Sequence, residues 1–349
     1  MGTSRETESR SDEICVQKHK IDLKGRYLMK RFMFIVSFVA VFLSFGLEPS
    51  LQAQPYPNRP VTLVIPMNAG AAMDGVGRIL ADELGKILNQ PVVVVNKPGA
   101  STTLGTDFVV KSKKDGYTFL LANTSSVIYS KIADPKLVPY DSLNDLEPLG
   151  LYCFFPFALA VRQDAQWGTF AELVDYAKKN PGKVRVCTAG QMSTAHFCLE
   201  IIQHLTGAQF THIPHKGNIE LFLLGGNVEA LLNAATLSIP HVEAGKMKFL
   251  LLSKKMVQYP KIPTMTELGY KEDIPSAWLA FFAPSGVPEE VKKALVPAIE
   301  KAAKNNEIKA KIEKIGFIVD YKSPIELRKL LEKEYARANE IAVKIGYQK

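Results

Sequence analysis

The sequence has little of what most catalytic and metal sites require. None of its four cysteines (Cys15, Cys153, Cys187, Cys198) belongs to a CxxC pair, which excludes a zinc ribbon and a thioredoxin-type redox motif. GxGxxG and the P-loop string are both missing, so the familiar nucleotide-phosphate cradles are excluded. GxSxG is missing as well: Ala100-Ser101 and Met192-Ser193-Thr194 lack the paired glycines of a nucleophile elbow. His212 and His215 are separated by Pro214 in an extended segment with no third ligand at useful spacing, so no metal and no cofactor is expected. There is no dense Lys/Arg stripe, and the net charge of +8 favours solubility and anionic partners without requiring nucleic acid. With 47% apolar and 22% charged residues, the composition excludes disorder, collagen and coiled coil. The 349 residues are enough for two α/β lobes of ordinary size.

The N-terminal region reads as a targeting segment. Residues 1–28 are polar and without periodicity; Met29 is followed by Lys30 and Arg31, and then by the apolar run Phe32 to Leu43. At twelve residues this run falls short of the roughly 20 that span a bilayer but suits the centre of a secretory signal. A polar stretch and Leu51-Gln52-Ala53 follow, which places cleavage near Ala53 and the exported chain at Gln54 onward. No cysteine stands at the end of the apolar run, so a lipid anchor is not expected, and the signal is expected to span 29–53, with translation starting at Met29 or Met1. Removing 53 residues leaves 296 and a net charge of +6. Three cysteines then remain, allowing at most one disulfide, with buried free thiols the preferred reading.

The mature chain repeats one unit: a buried strand, a loop of small residues, a helix. VTLVIP from Val61 is a β-branched run suited to a parallel strand covered on both faces. After the loop Met67 to Asp74, GVGRILADELGKIL sets Val76, Ile79, Leu80, Leu84, Ile87 and Leu88 on one helical face, with Asp74 as the expected N-cap. PVVVVN, the turn KPGAS, a helix at about 102–111, the turn DGYT and the strand FLLAN continue the alternation. ALAVR, a helix at 169–180 stopped by NPGK, the strand VRVCTAG and a helix ended by Gly207 repeat it. Further elements are expected at 210–214, 218–225, 228–233, 236–244 and 247–253. After FFAPSGVP come helices at 288–305 and 307–314, the strand GFIVDY and a charged terminal helix at 324–345.

Each strand-to-helix loop offers unpaired N–H groups and the positive end of a helix dipole, which together attract anions. Met67, Asn68, Ala69, Gly70, Ala71 and Ala72 open one such end, Ala189 to Thr194 a second, and Asn123 to Ser126 a third. Glycine and alanine permit close backbone approach, and Ser125, Ser126, Ser193 and Thr194 bring hydroxyl donors for a carboxylate. Thr124 lies beside Ser125 in the third loop.

Ordered strings along about 290 residues resemble the extracytoplasmic solute-binding receptors of the tripartite tricarboxylate transporter system, the Bug family. They are YPNRPVTLVIPMNAGAAMD, KPGAS, DGYT, VPYDSLNDLEPLG, NPGK, AG..S..H (Ala189, Gly190, Ser193, His196), HIPHKG, LLGGNVEA, HVEAGK, PKIPTMTELGY and W...FAPSGVP. The resemblance implies a type II periplasmic-binding fold: two α/β lobes with a ligand cleft between them, lobe 1 from 54–156 and 279–349, lobe 2 from 157–278. It also implies a ligand carboxylate held by backbone amides of the loop Pro66 to Asp74, with Ala189 to His196 closing from the second lobe. The sequence departs from the family pattern in four places. Ala71 stands for the second Gly, Asn68 and Ala69 replace the Pro-Gly neighbourhood, His215 replaces Tyr, and Asn233 replaces an Asp, which would remove a negative partner for an ammonium group.

The expected function is a receptor, not an enzyme, that captures a di-, tri- or aromatic carboxylate and delivers it to membrane permease subunits of that transporter. The alternatives are a two-lobed enzyme acting on a small carboxylate, or a carboxylate sensor for a signalling membrane protein.

Overall fold

The computed structural model of the protein describes residues 55–191 and 193–344, together with Met29, Arg31 and Met33, which are helical. The chain divides into two units, Met1–Gln54 and Pro55–Lys349. Apart from those three residues, the expected extension, signal segment and cleavage point lie outside the described residues. No described helix is long and apolar enough to cross a membrane.

The first strand shows how the core is specified. In β1 (Val61–Ile65), Leu63 and Ile65 enter the cluster on one face of the sheet and Val64 the cluster on the other, all fully buried. A strand covered on both faces needs the unbroken apolar run that this sequence supplies. Helix α1 (Ala72–Leu88) buries Val76, Leu80 and Leu84 against that sheet, with Ile79, Ile87 and Leu88 packed around them. It ends at Asn89, in the left-handed conformation at φ 52°. The parallel neighbours β2 (Val92–Asn96) and β3 (Thr118–Asn123) flank β1 on either side, with α2 (Thr103–Val110) between them in the chain. The expected helix at 102–111 begins one residue late, because Ala100–Thr102 forms a separate 3-10 turn.

Two strands were not expected from the sequence: β4 (Leu146–Phe155) and β10 (Ala277–Pro284). β10 runs antiparallel between β3 and β4, and β11 (Ile318–Lys322) covers the far edge, giving the order β11-β4-β10-β3-β1-β2. The second sheet has the order β7-β6-β8-β5-β9, from β5 (Phe157–Arg162), β6 (Arg185–Thr188), β7 (Thr211–Pro214), β8 (Ala230–Ala234) and β9 (Met247–Leu252). Its helices are α4 (Phe170–Lys179), α5 (Thr194–Thr206), α6 (Ile219–Leu224) and α7 (Ala235–Glu243); the short α3 (Ser130–Ala133) belongs to the first sheet's layer. Each sheet thus pairs three parallel strands with antiparallel ones and carries an apolar cluster on both faces. The buried cysteines Cys153, Cys187 and Cys198 are free thiols inside these clusters.

Among the described residues the chain passes between the sheets at two places. Pro156 alone separates β4 from β5, and residues 253–276 return from β9 to β10. The Phe157 amide donates to Ser253 Oγ at 2.8 Å, Ser253 N donates to Phe157 O at 2.8 Å, and the Ser253 and Ser276 hydroxyls meet at 2.7 Å, so the two crossings are tied together. Helices α8 (Glu289–Lys304), α9 (Asn306–Lys314) and α10 (Pro324–Lys344) complete the first lobe. Leu327, Leu331, Ala338 and Ala342 of α10 join a cluster that also holds Phe197 of α5.

Candidate functional site

The loops that follow β2 and β3 in the first sheet and β6 in the second meet at the C-terminal ends of their strands, where ligands gather in open α/β sheets. A cavity of about 360 Å3 lies there. Its first wall comes from Ala100, Thr103, Ser125, Tyr129 and Ser130 with Ala133, Asp134, Leu137 and Val138, and its second from Ala189, Gly190, Gln191 and Ser193. Of the residues expected from sequence, the structure brings Ser125, Ala189, Gly190 and Ser193 to this cavity. Met67 to Ala72, Asp74, Thr124, Thr194, His196, His215 and Asn233 do not line it. Ala100, Thr103, Tyr129 and Gln191 do, and were missed. The KPGAS string was the available signal, but nothing in it announced that Ala100 (φ 44°) and Thr102 (φ 78°) adopt the left-handed region. Such backbone is costly for residues with a Cβ and is held here by Thr103 Oγ1 donating to Ala100 O at 2.6 Å and Thr106 Oγ1 to Thr102 O at 3.1 Å.

Asp74 is not the N-cap of α1; Ala71 is, with extended backbone and no side-chain bond. Asp74 sits in the first turn, 3% exposed, and its carboxylate is fully used. Oδ2 accepts from Gly70 N at 2.9 Å and from Arg78 Nε at 3.0 Å, and Oδ1 accepts from Asn96 Nδ2 at 2.8 Å. Asn96 Nδ2 also reaches Met67 O at 3.1 Å, and Arg78 Nη2 donates to Asn96 Oδ1 at 3.0 Å. Burial alone would raise the Asp74 carboxyl, but the donors from Arg78, Gly70 and Asn96 outweigh it and hold it below its ordinary range. The Gly70 amide is therefore occupied, and the Ala71 amide donates to Asn68 O at 3.2 Å. The helical ladder starts with Gly75 N donating to Ala71 O, so the amides of Ala72 and Met73 precede it.

The second loop is held from below. Thr188 Oγ1 meets His212 Nε2 at 2.7 Å and Gly190 O at 3.1 Å, and the His196 and His212 rings stack at 4.0 Å. Burial, and then the neighbouring His196, push His212 down to about 4, against an opposing pull from Glu200. Ser193 is the N-cap of α5: its Oγ donates to Gly190 O at 2.7 Å and accepts from His196 N at 3.2 Å. Contrary to expectation, the Ser193 hydroxyl proton is committed within the loop. The same holds for Ser126, fully buried, whose Oγ donates to Asn123 O at 3.0 Å. The third loop opens a π-helical turn, Ser125–Tyr129, and Thr124 Oγ1 is buried without a hydrogen-bond partner. His215 stacks on Phe222 at 4.4 Å.

The expected loss of negative charge at Asn233 is corrected by its neighbour. Asn233 Nδ2 donates to Glu220 Oε1 at 2.8 Å, so a carboxylate stands directly behind it. Among the described residues, no group of three or more His, Cys, Asp or Glu side chains is arranged to hold a metal ion.

Two α/β lobes, two tied crossings and a cavity walled by strand-to-helix loops define a type II periplasmic-binding fold and a solute receptor. Residues 76–347 match the family model described as the tripartite tricarboxylate transporter family receptor, and the chain belongs to that family. It is 32% identical over 279 residues to Protein BugT of Bordetella pertussis, covering 78% of this chain and 86% of that protein. A TctC solute binding protein from Polaromonas superimposes with a TM-score of 0.73 at 29% identity, covering 83% of this chain and 99% of the other. Two Rhodopseudomonas palustris structures are also similar. One, with adipate, has a TM-score of 0.69 at 26% identity, covering 83% and 98% of the two chains. The other, MatC with bound malate, has a TM-score of 0.66 at 25% identity, covering 82% and 99%.

Proposed function

We propose that this receptor encloses a small organic carboxylate between its lobes in the periplasm and delivers it to membrane permease subunits of the transporter system. The observation that carries this reading is the cavity of about 360 Å3 walled by loops from both sheets. A space of that size encloses a small acid, and strand-to-helix loops present backbone donors to an anion. The carboxylates bound by the two R. palustris relatives support the ligand class. In this reading the ligand occupies that cavity and one carboxylate reaches from it to the amides that open α1, which do not themselves line it, with the loop that opens α5 closing over it. Residues 54–156 with 279–349 and residues 157–278 are the two bodies that move. Export follows cleavage near Ala53, for which a periplasmic species of intact mass beginning at Gln54 is the check.

Binding without turnover is part of the proposal. Ser193, the hydroxyl at the mouth of α5, is committed as donor to Gly190 O and as acceptor from His196 N, so it is not presented to a base. Calorimetry with di-, tri- and aromatic carboxylates, followed by NMR of the recovered acid, tests both halves. A bound acid recovered unchanged is expected, and a new product would establish the enzyme reading instead. Ala71→Asp places a like charge at the α1 opening and should abolish binding while circular dichroism stays unchanged. Wild-type affinity in that variant would place the carboxylate elsewhere.

A further inference from the structure

The lobes also touch behind the ligand cavity. Tyr129, in the wall of that cavity, stacks its ring on Phe197 of α5 at 4.8 Å, so a buried first-lobe ring is packed on a buried second-lobe ring. The same two rings border a second cavity of about 250 Å3, bounded also by Glu334 and Arg337 of α10 and by Glu272 and Asp273 of the returning crossing. Arg337 reaches across the boundary between the lobes. Its Nη1 donates to Asp273 O at 3.4 Å; its Nη2 is buried, stands 3.2 Å from Glu272 Oε1 and lacks the geometry of a hydrogen bond. Both contacts are long, so the guanidinium holds the crossing with donor capacity left over.

Glu334 stands one turn earlier on the same helix, where side chains three apart are neighbours. Its Oε2 accepts from Trp278 Nε1 at 3.0 Å. The titratable and charged groups facing it are Arg337 and Lys333 of α10, Tyr129 of the π-helical turn and Cys198 of α5, while Glu272 lines the same cavity from the crossing. Asp273, also there, spends its carboxylate on Thr266. Desolvation raises the Glu334 carboxyl to about 7 from 4.5, against the Trp278 donor, Arg337 and Lys333. Burial pushes the Tyr129 hydroxyl and the Cys198 thiol up, so both stay neutral near pH 7.

We propose that Arg337 is an interlobe latch controlled by Glu334. With Glu334 protonated, the guanidinium stays on residues 272–273 and holds the lobes in the arrangement that encloses the ligand; with Glu334 charged, it is drawn back along α10 and the lobes part more readily. The proposal rests on the carboxylate-receptor reading above and adds regulation to it. Two anions, Glu272 on the crossing and Glu334 on α10, compete for one cation, and the cavity between them gives the guanidinium room to turn. Parting the lobes strands Arg337 when Glu334 is neutral and pairs it when Glu334 is charged, so protonation favours the joined arrangement. By linkage, an acid that favours the joined arrangement draws a proton from solvent onto Glu334. Arg337, Glu272 and Glu334 are positioning residues, and none of them lines the ligand cavity.

The test is calorimetry on the mature chain with succinate, malate and adipate from pH 6.5 to 8.5, a window above the range in which their own carboxyls titrate. An acid that binds should do so about 3- to 10-fold more tightly at pH 6.5 than at pH 8.5. At pH 7 it should take up a fraction of a proton, read from the dependence of the heat on the buffer. Glu334→Gln keeps an acceptor for Trp278 and cannot ionise, so across the window it should bind as the wild type does at pH 6.5, without proton uptake. Glu272→Gln, at the more exposed end of the ion pair, should weaken binding at pH 6.5 about 3- to 10-fold and reduce the pH dependence, as should Arg337→Met. If Arg337→Met does not fold, the two glutamate variants decide. A flat wild-type profile, or a slope that Glu334→Gln retains, overturns the latch and leaves the carboxylate reading standing. If none of the three acids binds, that counts against the carboxylate reading, and the latch is decided without ligand. Ser125→Cys with Gln191→Cys, on opposite walls, should then crosslink faster in the Glu334→Gln background than in the wild-type one at pH 8.5 and equally fast at pH 6.5, a comparison in which the titration of the introduced thiols cancels. Equal rates at both pH values overturn the latch.

Discussion

Single side chains at this cleft are spent on shaping loops, and Asp74 shows the consequence. Its two oxygens take three donors while buried, fastening Gly70, Asn96 and Arg78 into one knot at the foot of the first loop. Asp74→Asn replaces one acceptor with a donor facing Asn96 Nδ2. Losing a satisfied charged partner in a buried knot costs on the order of 1–3 kcal/mol, to be read from chemical denaturation at pH 7. The same knot fixes a pH effect. Because the folded Asp74 carboxyl lies below its ordinary 3.8, its contribution is present above that value and is lost as pH falls through the folded one. The acid limb of the wild-type stability curve should therefore be steeper than that of Asp74→Asn. Equal slopes would mean that the carboxylate gains nothing from its three donors.

At the scale of elements, a helix or strand was legible where its period was clean. The apolar run of β1 and the 3.6-residue stripe of α1 could be read because all of their core positions point the same way. β4 and β10 could not, since Pro148 and Gly150 interrupt the first and Pro284 ends the second. Their pairing shifts register between Leu279 and Ala280 and again between Phe281 and Phe282, and bulges of this kind erase alternation. The site was legible as loops and illegible as partners. The small residues marked where a ligand approaches, but that Ser193 spends its proton on Gly190, or that Glu220 backs Asn233, depends on contacts between separate elements. Two such contacts give opposite pH responses. His212, between β6 and α5, is held at about 4 against an ordinary 6.5, so between those values the unfolded chain takes up a proton that the fold refuses. That part of the stability is whole above 6.5 and declines as pH drops toward 4, and His212→Gln should flatten thermal melts across the window. Glu334 of α10 is raised by burial to about 7 from 4.5, partly offset by the Trp278 Nε1 bond at 3.0 Å and by Arg337. Its cost therefore grows as pH rises from 4.5 to 7. Glu334→Gln should raise the melting temperature at pH 8 and leave it unchanged at pH 4, and a lower value at pH 8 would show that the charged form is favoured in the fold.

For the molecule as a whole, the question is which surfaces can part. Each sheet is packed on both faces by its own apolar clusters, so neither lobe can open without exposing core. Among the described residues the chain passes between the lobes at Pro156 and through residues 253–276, and the Ser253 hydroxyl ties those passages where they leave the sheets. Under the proposed function the pair of tied crossings would serve as the hinge: a rotation absorbed in a few backbone angles near Phe155 to Phe157 and Ser276 would carry the wall of Ala189, Gly190, Gln191 and Ser193 toward Ala100 and Ser125. The cluster joining α10 to Phe197 limits how far that swing can go, because wide opening would uncover Leu331 and Trp278. Closure of limited amplitude is thus expected when ligand bridges the two walls. Small-angle scattering of the mature chain, with and without the acid that calorimetry finds tightest, should show a smaller radius of gyration in the saturated sample. Disulfide trapping supplies an independent reading: cysteines at Ser125 and Gln191, on opposite walls, should crosslink faster with ligand than without. An unchanged radius together with unchanged crosslinking at verified saturation would mean that the walls are already in their bound positions, and that ligand enters without movement of the lobes.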